Sequence, residues 1–134
     1  MAKLLDIEGI GEKYAQKLKD AGIGTSAQLL DKGSTPKGRK ELAEKSGISD
    51  TLLLQWINHV DLFRIKGVGE EYADLLEAAG VDTIPELAQR KADNLIEKMS
   101  AVNNEKKLVR QLPSRDMVAG WIEQAKQLPR VITY

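Results

Sequence analysis

Two glycine-flanked turns hold the residues best placed for chemistry. Gly9-Ile10-Gly11 and Gly67-Val68-Gly69 each bracket one aliphatic side chain with glycines, and each runs into a stretch of helical periodicity. Glycine permits backbone angles that a side chain forbids, so the chain can turn tightly while Ile10 or Val68 plugs back into a core. Such a turn leaves successive backbone N–H groups pointing outward where the next helix begins, at the positive end of its dipole. The chemistry this supports is capture of an anion, above all a phosphate oxygen.

Charge separates the two copies. Lys13 and Lys17, one helical step apart, are spaced to flank a phosphate, and with Lys19 they balance Glu8, Glu12 and Asp20. After the second turn Glu70, Glu71, Asp74 and Glu77 face a single Lys66, a composition that repels phosphate. Glu12 and Glu70 each fall in a first helical turn, where a carboxylate stabilises the helix and competes for the place of an anion. Two further basic groups stand out: Lys32, Lys37, Arg39, Lys40 and Lys45 in the first half, and Lys106, Lys107, Arg110 and Arg115 in the second. Either group is equally readable as a solvated helix face, the commoner fate of Lys and Arg.

Other chemistries find little material. Without cysteine there is no disulfide, thiolate ligand or cysteine nucleophile. The single histidine, His59, cannot build a zinc site of the common kinds and reads as structural. The carboxylates are scattered without a convergent acid–base pair, so the expectation is no enzyme, no cofactor and no metal. Met1-Ala2-Lys3-Leu4-Leu5-Asp6 lacks the apolar run of a signal peptide, and no segment has the roughly 20 apolar residues that span a bilayer. The expected location is the cytoplasm.

The elements that must position the turns follow from a repeat. Residues 7–30 align without gaps onto residues 65–88, an offset of 58, with 11 identities in 24 positions. The shared frame is Ile-x-Gly-(Ile/Val)-Gly-Glu-x-Tyr-Ala-x-x-Leu-x-x-Ala-Gly-(Ile/Val)-x-Thr. Trp56-Ile57 and Trp121-Ile122 form a later echo at an offset of 65, so the second half carries seven inserted residues. The boundary falls near Asp61 to Phe63, giving halves 1–62 and 63–134. No Gly/Ser-rich or Pro-rich linker separates them, so the halves are expected to pack into one helical body.

Periodicity and punctuation predict helices throughout. From Glu12, the apolar positions Tyr14, Ala15, Leu18 and Ala21 recur at helical spacing before Gly22; Tyr72, Ala73, Leu75, Leu76 and Ala79 do so before Gly80. Thr25 and Thr83 are placed to cap short helices bearing Leu29 and Leu87, with Pro85 in a tolerant first turn. Lys37 to Lys45 reads as a helix ending at Ser46-Gly47, with Ala92 to Val102 as a divergent counterpart. Ser49 opens Thr51 to Val60, and Ser114 opens Met117 to Leu128. The chain has 42% hydrophobic and 30% charged residues, with only two Trp, three Tyr and one Phe, which suits a folded all-α protein with an aliphatic core.

The Gly-hydrophobic-Gly turn with Ala15 or Ala73 four residues on, then Leu18 or Leu76, resembles the helix-hairpin-helix superfamily. That resemblance implies two pseudo-symmetric helix-hairpin-helix units and, in DNA-binding members, sequence-independent contact with phosphates. Thr35-Pro36-Lys37-Gly38-Arg39-Lys40-Glu41-Leu42-Ala43, Trp56-Ile57-Asn58-His59, Glu105-Lys106-Lys107-Leu108-Val109-Arg110 and Thr133-Tyr134 also resemble a family of tandem bacterial proteins described as a domain of unknown function, which implies a fold and no activity. Many helix-hairpin-helix turns serve as packing units or protein contacts.

Two partner classes therefore stand open. One is DNA, gripped through its backbone by Gly9, Ile10, Gly11, Lys13 and Lys17, helped by Lys37, Arg39 and Lys40, with Gly67, Val68 and Gly69 as the second turn. Twenty basic residues against twenty acidic ones give no global positive field, so such binding is weak and salt-sensitive. Tyr14 and Tyr72 lie on apolar helix faces and Trp56 and Trp121 read as core anchors, which leaves no stacking platform for single strands. The other is a protein, docked through the acidic second turn or the tail Leu128-Pro129-Arg130-Val131-Ile132-Thr133-Tyr134.

Overall fold

The computed structural model describes Leu4, Ile7 and residues 9–133. Among these residues there are eight helices and no strand: α1 Glu12–Asp20, α2 Ser26–Gly33, α3 Pro36–Ser46, α4 Asp50–Leu62, α5 Glu70–Ala78, α6 Ile84–Ala88, α7 Ala92–Lys106 and α8 Arg115–Gln127. None is long and apolar enough to cross a membrane. The chain divides into two units, the first Met1–Asp61 with Val131–Tyr134, the second Leu62–Arg130.

The helix starts follow from local chemistry. A hydroxyl oxygen accepts a first-turn N–H at Thr25 (from Gln28), Thr35 (from Gly38), Thr83 (from Glu86) and Ser114 (from Met117), satisfying a donor that the helix leaves open. Ser49 does the same for α4 through the Leu52 N–H at 3.2 Å. Pro36 and Pro85 sit in first turns, where no N–H is needed.

The helix ends are equally local. Gly22 takes φ +92° after α1, the Ile23 N–H reaches back to Leu18 O at 2.8 Å and the Gly22 N–H to Lys19 O at 3.0 Å. Gly80, φ +94°, repeats the pattern with Val81 to Leu76 O and Gly80 to Glu77 O at the same distances. This paired closure uses a left-handed residue and seats the next apolar side chain, here the buried Ile23 and Val81, against the body.

In the first unit α1 and α2 both pack on α3. Leu18, Leu29, Leu42, Leu53, Trp56 and Ile57 are among its buried side chains. In the second unit α5 packs on α7, and α8 lies against both α6 and α7. Its core gathers Leu62, Ile65, Leu75, Leu76, Leu87, Leu95, Met99, Val118 and Trp121, with others around them.

The C-terminal tail departs from the sequence expectation, which kept it with the second half. Ile132 is only 2% exposed, and the Thr133 N–H donates to Ser34 O at 2.7 Å. These contacts attach residues 131–133 to the first unit. The two units meet in sequence between Asp61 and Leu62.

Candidate functional site

Each turn is built on a ladder of three buried aliphatic residues. In the first, the Ile7 N–H donates to Leu4 O and the Ile10 N–H to Ile7 O, both at 3.1 Å, and all three side chains are buried. In the second, Ile65 donates to Leu62 O and Val68 to Ile65 O, again at 3.1 Å, with all three buried. The plug role expected of Ile10 and Val68 is thus realised, and neither side chain is open to a ligand.

The first glycine of each turn has an internal reason to be glycine. Gly9 and Gly67 hold φ +90° and +94°. A Cβ on Gly9 would lie 3.2 Å from Trp56 Nε1, and one on Gly67 3.0 Å from Trp121 Nε1. The indole in each unit also meets a tyrosine from the helix that follows the turn: Tyr14 edge-on to Trp56 at 5.1 Å, Tyr72 tilted to Trp121 at 5.3 Å. The aligned glycines and tyrosines and the later tryptophan echo are therefore parts of one local arrangement, made once in each unit. Gly67→Ala is expected to cost about 2 kcal/mol, since the left-handed region disfavours a side chain and the new methyl crowds the indole. Thermal denaturation followed by Trp fluorescence checks this, and an unchanged midpoint refutes it.

The second glycine has no such reason. Gly11 and Gly69 lie at φ −91° and −95° in extended backbone, both exposed, with no atom within 4 Å of where a Cβ would stand. Each is the N-cap of its helix, and neither α1 nor α5 has a side-chain cap, whereas α2, α3, α6 and α8 do. Both corners face outward with first-turn N–H groups that no cap side chain covers.

The cations are distributed unevenly around these corners. Lys13 is exposed, and Lys17 lies half-buried with its ammonium 5.7 Å from the Tyr14 ring centroid. Glu8, counted against these lysines, lies outside the described residues. Lys37 and Lys40 are exposed on α3, the helix against which α1 packs. Lys32 is committed to Glu41 at 3.1 Å, and this bond with its charge holds the Glu41 carboxyl below the usual range, with Lys37 and Lys45 adding to the effect.

Arg39 is a correction. Expected among the phosphate-facing cations, it is 6% exposed and turned inward. Its guanidinium donates through Nη1 to Gly33 O at 2.9 Å and through Nη2 to Thr133 O at 2.7 Å. A buried guanidinium is tolerable only when its donors are used, and here they fasten the tail to the end of α2. The second-half cluster is also divided. Lys106 and Lys107 close α7, whereas Arg115 is paired with Asp93 in the first turn of the same helix, about 20 Å away along the axis. No sequence signal separates Arg39 from its lysine neighbours; Gly38 lets α3 approach the backbone of α2, and Gly33 makes room for Ile57 of α4.

At the second corner Glu70 and Glu71 are exposed in the first turn of α5, with no basic residue in its last turn. Chemically, the first corner offers amide donors with ammonium groups and one first-turn carboxylate, Glu12, whereas the second offers amide donors with two, Glu70 and Glu71.

No curated protein and no solved structure matches the chain. A family model does, over residues 8–128, and its description is Domain of unknown function (DUF4332). Those residues take in both corners, both tryptophans and all eight helices, and the chain belongs to this family.

Proposed function

We propose that the protein is a non-catalytic binding module of the cytoplasm that grips the sugar-phosphate backbone of duplex DNA through its first turn, without reading sequence. The observation that carries this reading is the second glycine. Gly11 has an ordinary φ, open space around it and no packing role, yet the position is glycine in both copies. A bare backbone at the exposed start of an uncapped helix suits close approach by an outside group, and the helix dipole and free amides favour an anion. Lys13 and Lys17 supply the neutralising charge, with Lys37 and Lys40 on the neighbouring helix. The two units correspond, on this reading, to tandem helix-hairpin-helix elements, of which the second is the poorer binder because Glu70 and Glu71 occupy its approach.

A protein-interaction role is the second reading, favoured by Leu112 and Met117, which are 37% and 40% exposed beside the start of α8. The tail no longer supports it, since Ile132 and Thr133 are engaged within the first unit.

Fluorescence anisotropy with duplex, single-stranded and branched DNA across a salt series tests the proposal. Lys13→Glu/Lys17→Glu is expected to weaken duplex binding and to reduce the slope of log K against log salt by about 1.8, at roughly 0.9 per lost phosphate contact. Gly11→Ala is expected to keep its fold and also bind more weakly. Absence of binding to every form at low salt, or unchanged binding by both variants, rejects the DNA reading and leaves the protein-interaction one.

A further inference from the structure

The second unit carries a depression of about 350 Å³ between the first turn of α7 and α8, and four cations line it. Arg90 and Lys91 come from the α6–α7 connection, Arg115 from the start of α8 and Lys126 from its last turn. Asp93 and Glu123 are the carboxylates in the same wall. Asp93 pairs with Arg115, and Glu123 with Lys126 at 3.7 Å, so two cations are balanced within the wall and the charges of Arg90 and Lys91 remain in excess. Its floor includes Ala119 and Ile122, which add no charge.

The placement of the cations runs against local electrostatics. Lys91 is the N-cap of α7, a position that favours Ser, Thr, Asp or Asn, and it brings positive charge to the positive end of the helix with no side-chain cap bond. Arg115, directly after the Ser114 cap, also brings positive charge to the first residue of its helix, α8. Arg90 is fixed in place by a hydrogen bond from Nη2 to Gly80 O at 3.0 Å, which leaves other guanidinium N–H groups for another acceptor. A chain that needed only stability would place a carboxylate or hydroxyl at position 91 and no cation at position 115. Local rules broken together around one concavity are a mark of a site that serves a ligand.

We infer that this depression binds a phosphate-bearing ligand, with Arg90 and Lys91 as the free cationic pair and Arg115 and Lys126 as cations exchangeable from their carboxylate partners. The volume falls within the range of about 300–1,000 Å³ usual for ligand sites. The phosphate belongs either to a free polyanion or to a nucleic-acid backbone. This site is separate from the first turn, and its occupancy does not depend on the DNA reading above.

The test uses the full chain and tripolyphosphate at low ionic strength. Titration followed by amide chemical shifts is expected to move residues 90–93 and 115–126, with calorimetry giving the affinity. Lys91→Asp/Lys126→Glu is expected to weaken tripolyphosphate binding at least tenfold while keeping the thermal midpoint, because Asp is the better N-cap. Site-resolved shifts of residues 90–93 and 115–126 separate this site from the first turn, and Lys106→Glu/Lys107→Glu, at the far end of α7, should leave them unchanged. A duplex-DNA arm distinguishes the sources: loss of DNA affinity in Lys91→Asp/Lys126→Glu assigns the phosphate to nucleic acid, and loss confined to tripolyphosphate assigns it to a free ligand. The inference is overturned if tripolyphosphate moves none of these amides, or if the folded Lys91→Asp/Lys126→Glu variant binds it as tightly as the natural chain.

Discussion

Gly38→Ala is expected to destabilise the first unit by about 3 kcal/mol, the upper part of the usual range for overpacking. A Cβ at this position would lie 2.0 Å from the carbonyl oxygen of Lys32 and 3.2 Å from its carbonyl carbon. Those atoms belong to the backbone of the last turn of α2. They cannot rotate away as a side chain can, and only Ser34 and Thr35 separate α2 from α3, so relief would require parting the two helices. It would also move the Gly38 N–H off Thr35 Oγ1, now at 3.0 Å, and so loosen the cap of α3. Urea unfolding followed by Trp56 fluorescence in a Trp121→Phe background reports on this unit. With a slope of about 1–3 kcal/mol per molar urea, the midpoint should fall by about 1–3 M. A midpoint within a few tenths molar of the parent would show that the α2–α3 crossing is not as close as described.

Arg39→Ala should be of similar size, about 3 kcal/mol, for a different reason. The substitution removes a largely buried stem and leaves the carbonyls of Gly33 and Thr133 without their donor. Arg39→Lys keeps the charge but presents no planar fork, so it should recover only part of the loss. Hydrogen exchange at the Thr133 amide, which is bonded to Ser34 O, should accelerate in both variants, more in the alanine form. Charge reversal at Lys37 and Lys40, which are exposed, should change stability by no more than about 0.5 kcal/mol. A DNA-binding variant on α3 is therefore interpretable only if Arg39 is left intact. Slow Thr133 exchange in Arg39→Ala would mean that Ile132 and the bonds to Ser34 hold the tail without the guanidinium.

What could be read from the sequence was local. Thr25, Thr83, Ser49 and Ser114 cap because a hydroxyl needs only the next turn, and Gly22, Gly47 and Gly80 terminate because left-handed geometry is decided within a few residues. The duplication shows Trp56 and Trp121 as a later echo in each half, but that each indole lies over the first glycine of its turn is visible only in the structure. Arg39 defeated the reading because Lys37-Gly38-Arg39-Lys40 has the composition of a solvated face, and the carbonyl that buries it comes from Thr133, 94 residues on. Proximity in sequence groups Arg115 with Lys106 and Lys107, whereas its partner is Asp93, 22 residues back. Arg90, Lys91 and Lys126 are brought together only by the packing of α8 on α7, and Lys91 at an N-cap is the local anomaly legible in the sequence.

The tail gives the first unit a property that bears on its synthesis. Its core is finished by Ile132 and its α2 end by Thr133, which are translated only after every residue of the second unit. The second unit is contiguous in sequence and can form as soon as Arg130 has left the ribosome. The earlier-made unit must wait, with Arg39 lacking one of its carbonyl acceptors, until the last segment arrives. Domain order in the polypeptide and order of completion are thus reversed, and ribosome-bound chains that stop at residue 130 would hold a complete second unit beside an incomplete first one.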